Sequence, residues 1–180
     1  MSQDNLLVRA QNLDNEALAE LHDQLYPIIF RYVRFRVDDE QVCEDLTSEV
    51  FLRFLNALRQ KGRSIDDARA WMLGTASNLI HDYYRVRYRR PVENIEDHES
   101  LVSPQNTEST IEHRAILGDM RKAIRCLTLD QQNVLALRFT QELSLDETAK
   151  IVNKSVNAVK VLQFRALAAL RKLMAEDSRE

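Results

Sequence analysis

The chain has 180 residues, with 25 basic and 28 acidic side chains and a formal net charge of −3. Hydrophobic residues make up 44% and charged residues 29%, a globular balance that excludes wholesale disorder. Only 3 Gly and 3 Pro occur, too few for the many tight turns of a sheet protein, so long helices are expected.

No apolar run approaches the ~18 residues that span a bilayer. The opening MSQDNLLVRAQ has no signal-peptide core. A soluble, cytoplasmic protein without membrane insertion is expected. Cys43 and Cys126 form no CxxC and no Cys/His cluster, so no metal or other cofactor is expected. Both are read as small core residues.

Apolar residues recur as Leu18, Leu21, Leu25, Ile28, Tyr32 and Phe35, which marks one buried helix face. Pro27 inside this pattern predicts a kink or a break. A second helix is predicted from about 39 to 58, with Val42, Leu46, Val50, Phe54 and Leu58 inward. Gly62 and Ser64 interrupt it. A third starts near Asp66 or Asp67, turns Met72, Ala76, Leu79 and Tyr83 to the core, and is ended by Pro91.

Residues 91–110 carry five acids (Glu93, Glu96, Asp97, Glu99, Glu108), two Pro and no Lys or Arg. They read as a flexible acidic linker between two domains, 1–90 and 111–180. A long surface loop in one domain is the other reading.

Beyond the linker, helices are predicted over 111–127 and 130–140, the latter with Val134, Leu135 and Leu137 inside. Ser144 and Glu147 fit a capping box that opens a short helix. Asn153-Lys154-Ser155 is a tight turn, since Asn tolerates the left-handed conformation and Ser is a good N-cap. The last helix, from Val156 to about Met174, turns Val159, Leu162, Ala166, Leu170 and Leu173 inward. The fold class is therefore all-α, two small helical domains, the second holding a helix-turn-helix.

Three surfaces stand out. In the helix-turn-helix, Ala149 is small where the helices approach, and Val152, Val159 and Leu162 hold their angle. The face opposite displays Asn157, Lys160, Val161, Phe164, Arg165 and Arg171. Such a unit places its second helix in the DNA major groove, cations on phosphates and Asn157 or Lys160 near base edges. A plain helical hairpin with a solvated basic face is the alternative. On the third helix, Trp71, Thr75, Asn78, Asp82, Arg85 and Arg89 share one stripe, and its end RVRYRR, with Tyr84 just before it and Tyr88 within it, interleaves Arg with aromatic rings. Guanidinium groups pair with phosphates and aromatic rings stack on unpaired bases. The bland alternative is a salt-bridged solvent face, Asp82 with Arg85, and Trp71 partly core. On the second helix, Asp45, Glu49, Leu52 and Asn56 form a polar stripe with one apolar centre, the shape of a partner surface or of a solvated face.

In their order these parts resemble an extracytoplasmic-function sigma factor, the minimal two-domain branch of the sigma-70 family. EDLTSEVFLRFLNAL (44–58) is similar to that family's core-polymerase-binding helix. ARAWMLGTASNLIHDYYRVRYRR (68–90) resembles its minus-ten promoter helix, and LTLDQQNVLALRFTQELSLDETAKIVNKSVNAVKVLQFRAL (127–167) its minus-thirty-five-binding domain. The resemblance implies that Asp45, Ser48, Glu49, Leu52 and Asn56 meet core RNA polymerase. It implies that the Trp71–Arg89 stripe, Asn78 above all, reads the melted minus-ten strand. It implies that Ser155, Asn157, Ala158, Lys160, Val161, Phe164 and Arg165 read promoter DNA at minus thirty-five, and that an anti-sigma factor is a further partner. Ser48 stands where the family usually has Gln, Asn157-Ala158 where it has Gly-Thr, and Val161-Leu162 where Ser-Arg is common.

The function expected is promoter-specific transcription initiation. A stand-alone helix-turn-helix regulator is the alternative. An enzyme is not expected: the four His are scattered, and neither HExxH, nor a nucleophile elbow, nor a Gly-rich phosphate loop occurs.

Overall fold

Asp14 makes the first corner of the chain. In the computed structural model, which describes residues 3–60, 65–89 and 118–177, a short helix α1 (Gln3–Gln11) precedes it. This helix buries Leu6 and Ala10, one turn apart. Leu13 takes a left-handed φ of 60°. Asp14 Oδ1 then accepts from the backbone N–H groups of Glu16 (3.0 Å) and Ala17 (3.2 Å), capping α2 (Asn15–Arg36). The Ala17 N–H, with Arg9 beside it, holds the Asp14 carboxyl below its ordinary pKa.

Helix α2 buries Leu21, Leu25, Ile29, Tyr32, Val33 and Arg36. The expected stripe is found, but its centre is rotated, so Leu18, Ile28 and Phe35 are only half-buried. Pro27 does not break the helix. It and Asp23, whose carbonyl loses the helical N–H of residue 27, both lie on the exposed side, where water replaces the lost donor.

Asp39 caps α3 (Glu40–Arg59) through the Val42 N–H at 3.1 Å. Val50, Phe54 and Leu58 are buried as expected, whereas Val42 and Leu46 cede the centre to Cys43 and Thr47. Thr47 spends its hydroxyl on the Cys43 carbonyl (2.7 Å), so the polar group is satisfied inside the helix. Asp67 caps α4 (Ala68–Arg89) through the Ala70 N–H at 2.9 Å, and Met72, Leu73, Ala76, Leu79 and Ile80 face the core.

The proposed linker, 91–110, lies outside the described residues, as does the start of the helix expected from 111. Its described part is α5, 118–125. Cys126 follows and is exposed, which corrects its reading as a core residue; it sits just past the end of α5, where no helix face carries it inward. Thr128 and Gln131 form a capping box at α6 (Leu129–Leu135). The single helix expected to Thr140 changes at Ala136–Thr140 into a π-helical turn, closed by the Gln141 N–H on the Ala136 carbonyl at 3.2 Å. Ser144 and Glu147 cap α7 (Leu145–Val152) reciprocally, and Asn153 adopts φ 52°, ψ 48°. Ser155 then caps α8 (Val156–Asp177) through the Ala158 N–H at 3.2 Å. No strand occurs among the described residues.

One core cluster runs through α1–α4 and takes in Ala136, Leu137 and Leu143, with Ile151 and Val152 packed on it. Two smaller clusters lie beside it. Leu127, Leu135 and Ala166 pack with Leu170. Val134, Ala149 and Val159 pack with Val152 and Leu162. Val152, Val159 and Leu162, expected to hold the helix-turn-helix angle, are thus grouped there with the small Ala149.

Candidate functional site

Helix α3 commits Cys43, Thr47, Val50 and Phe54 to the core, and this turns the opposite side outward. Asp45, Ser48, Leu52 and Asn56 are exposed and Glu49 is half-exposed. Leu52 keeps 55% of its surface in water, a large apolar centre among polar neighbours. Asp45 accepts from Gln41 (3.3 Å) and Glu49 from Arg53 (2.7 Å). Both partners are one turn away on the same helix, so these acids remain available to an incoming cation.

Helix α4 spreads its stripe over two environments. Trp71 is half-buried, tilted against Phe54 at 5.6 Å between ring centroids. Thr75 is half-buried and donates to the Trp71 carbonyl at 3.0 Å. Asn78, Asp82 and Arg85 are exposed, the last two paired at 2.8 Å. An exposed pair of this kind contributes about 0–1 kcal/mol, so Arg85 exchanges readily between Asp82 and a phosphate. The Arg89 side chain lies outside the described residues.

The stripes of α3 and α4 meet. A shallow groove of about 300 Å³ is lined by Arg53, Asn56, Ala57 and Gln60 from α3 and its end, and by Trp71 and Thr75 from α4. Sequence reasoning placed Asn56 and Trp71 on separate surfaces and missed Arg53 and Gln60. Their signal was available, since residues 49, 53, 56 and 60 follow at steps of four, three and four.

The third face lies on α8. Ser155 gives its hydroxyl to the N-cap, so it holds the helix start. Asn157, Lys160, Val161 and Arg165 are exposed, and Phe164 is 75% exposed. Ala158 is half-buried, at the edge of this face. Among the described residues no ion pair engages Lys160 or Arg165. Gln163 instead accepts from Arg138 (3.0 Å), which ties α8 to the π-helical turn. Phe139 on that turn is 56% exposed and was not anticipated. At the turn before α8, Lys154 reaches Asp130 at 3.1 Å, and Asp130 also faces His81 of α4 at 3.8 Å. Burial, with Arg36 nearby, holds the His81 pKa below its ordinary value against the opposing pull of Asp130.

Two unpaired cations flanking exposed apolar residues on a helix that follows a tight turn can enter a DNA groove and meet phosphates. No helix among the described residues is long and apolar enough to cross a membrane.

Residues 21–90 match the family model "Sigma-70 region 2" and residues 123–172 match "Sigma-70, region 4". The chain is 36% identical to the ECF RNA polymerase sigma factor BldN of Streptomyces coelicolor over 97% of its own length and 66% of that protein's. It is 30% identical to the ECF RNA polymerase sigma factor SigX of Bacillus subtilis over 88% of its length and 84% of that protein's. In fold it is similar to CnrH, solved in complex with the cytosolic domain of CnrY, with a TM-score of 0.71, 22% identity and 97% of each chain covered.

Proposed function

The chain belongs to the sigma-70 family of RNA polymerase sigma factors, in its extracytoplasmic-function branch, and from that membership we propose how its three faces divide the work. The exposed face of α3, with Asp45, Ser48, Glu49 and Leu52, docks on core RNA polymerase. The α4 face, with Asn78 at its centre and Arg85 and Arg89 beyond it, engages the minus-ten strand as it separates. The groove beneath Trp71 and Thr75 adjoins that face, so Asn56 serves the DNA side as much as the polymerase side. The α8 face, from Ser155 to Arg165, reads duplex DNA at minus thirty-five. The two DNA-reading regions belong to the proposed units 1–90 and 111–180, with 91–110 between them.

The observation that carries this reading is the simultaneous exposure of all three faces on one chain. A stand-alone regulator needs the third but has no use for an acidic stripe with an apolar centre. On this reading the chain makes no bond itself; bond formation belongs to polymerase, and the protein works in the cytoplasm. Capturing unpaired bases offsets a few kcal/mol of unstacking. An anti-sigma factor is proposed as a further partner, competing for the same faces.

Run-off transcription with purified core polymerase on a pool of genomic promoter fragments tests the proposal. Discrete transcripts that need both components are expected. A chain that shifts specific duplexes equally with and without polymerase, and yields no transcript, belongs to the alternative.

A further inference from the structure

Helix α8 has a fixed rotation about its own axis. Val159 and Ala166 are fully buried, and Gln163 on the same side accepts from Arg138 Nε of the π-helical turn at 3.0 Å. At about 100° per residue, Asn157, Val161, Phe164 and Ala168 then fall within about 30° of the direction that points straight outward. All of these are exposed, Val161 by 47% and Phe164 by 75%. Lys160 and Arg165, exposed as well, lie about 70° to one side and the other of that direction. The face is an apolar ridge between two cations, with Asn157 as the polar member of the ridge.

Each part of this face matches a part of duplex DNA. A helix in the major groove turns its centre line to the base edges and its flanks to the phosphates on either wall. The base edges there offer hydrogen-bond donors, acceptors and one apolar group, the C5-methyl of thymine. Val161 or Phe164 over a guanine edge would bury the N7 and O6 acceptors without a donor, which is costly. Over thymine, the same side chains bury a methyl against carbon, which is favourable. The flanking charges decide between possible occupants. Among the described residues no ion pair engages Lys160 or Arg165, so the ridge suits a polyanion better than a second copy of the same basic face.

We propose that Val161 and Phe164 read thymine in the minus-thirty-five element by packing on its C5-methyl group. The proposal rests on the reading of α8 as the minus-thirty-five face. It adds that sequence is chosen there by methyl groups at the centre of the ridge, while Lys160 and Arg165 hold the backbone on either side. Asn157, one turn before Val161, can pair with the N6 and N7 of an adjacent adenine.

The test uses holoenzyme formed from core polymerase and the full chain, on a promoter taken from the run-off pool. Each thymine of the upstream element is replaced singly by deoxyuridine, which removes the methyl and keeps every hydrogen-bonding group. Competition binding by the parent should weaken about fourfold for each methyl that is buried. Val161→Ala and Phe164→Ala should each bind the thymine promoter more weakly and lose most of the response to deoxyuridine at one position. Far-UV circular dichroism and retention of core polymerase should stay at the parent's level, since both side chains are exposed. A parent that is indifferent to deoxyuridine throughout, yet loses binding when the element is scrambled, overturns the methyl contact alone. Variants that keep the parent's full response overturn it as well, because the methyl is then sensed elsewhere. Indifference to scrambling removes α8 from the minus-thirty-five element, and the methyl contact with it. Loss of core retention in both variants assigns the ridge to a protein partner and overturns the proposal.

Discussion

The Tyr32 hydroxyl donates to the Asn133 side chain across 101 positions of sequence, with both side chains buried. Two members of this small network are used twice, since Tyr32 also accepts from Arg36 and Asn133 also donates to Ser77. Tyr32→Phe keeps the ring and its packing but removes the hydroxyl, leaving the Asn133 carbonyl oxygen and an Arg36 N–H without their partner. The expected cost is about 1–3 kcal/mol of stability. Urea unfolding checks it, and a double-mutant cycle with Ser77→Ala should show a coupling of about 0.5 kcal/mol or more. Additive losses would mean that Asn133 does not link the two hydroxyls.

How far this was readable from the sequence depends on the range of the interaction. The inward faces of α2, α3 and α8 follow from apolar spacing, and the caps at Ser144 and Ser155 follow from residue type, because both are local. The short α1 escaped because it buries only Leu6 and Ala10. Cys43 was read as a core residue and is one, its thiol pushed up to about 11 by burial, whereas Cys126 falls past a helix end where periodicity says nothing. The contact of Tyr32 with Asn133 was not legible, since no pattern joins three helices at single polar positions. The candidate faces were legible as stripes, but their meeting in the Asn56–Trp71 groove needed the packing of α3 against α4.

Asp45→Arg with Glu49→Arg should abolish retention of core polymerase while the fold survives. Asp45 is exposed, and Glu49 loses only its pairing with Arg53 one turn away, a contact of about 0.3–0.5 kcal/mol. Two reversed charges on a docking face repel a basic partner surface. Pull-down with equal helicity measured alongside is the check. Undiminished retention would remove this face from the polymerase contact.

Lys160→Ala and Arg165→Ala should each weaken duplex binding and reduce its salt dependence. Neither cation has an ion-pair partner among the described residues. If each meets one phosphate, each lowers the magnitude of the slope of log K against log salt by about 0.9. Fluorescence anisotropy of the holoenzyme on an upstream duplex, titrated at several salt concentrations, measures this. A slope equal to the parent's would leave both side chains in solvent in the complex.

His81 should make stability fall as the pH drops below about 6.5. Burial and Arg36 from α2 hold its folded pKa below the unfolded value, against opposing pulls from Asp130 on α6 and Asp82 on its own helix. The unfolded chain therefore takes up the proton first, and the stability present above the unfolded pKa is lost as pH falls through the folded one. The carboxylates of Asp14 and Glu147, also depressed, follow the same sign but only at more acid pH. His81→Gln should flatten the dependence of the urea midpoint between pH 7.5 and 5.5. An unchanged slope would assign the acid sensitivity to another group.

Asn78→Ala should impair promoter opening more than initial closed-complex binding. Asn78 is exposed on a helix whose neighbouring Met72, Ala76, Leu79 and Ile80 are committed to the core, so its removal leaves the fold intact. Its amide both donates and accepts, which suits a base edge. Loss of such a contact costs about 1–3 kcal/mol of discrimination at one position. Arg85, two turns further on and paired with the exposed Asp82, should instead contribute attraction to the backbone that is indifferent to sequence. Permanganate footprinting of the opened strand beside a gel shift, on promoters varied singly within the minus-ten element, separates these roles. An Asn78→Ala variant that lowers opening equally for every promoter shows that Asn78 does not read a base. One that leaves opening untouched returns Asn78, Asp82 and Arg85 to an ordinary solvated helix face, ordered by the Asp82–Arg85 pair.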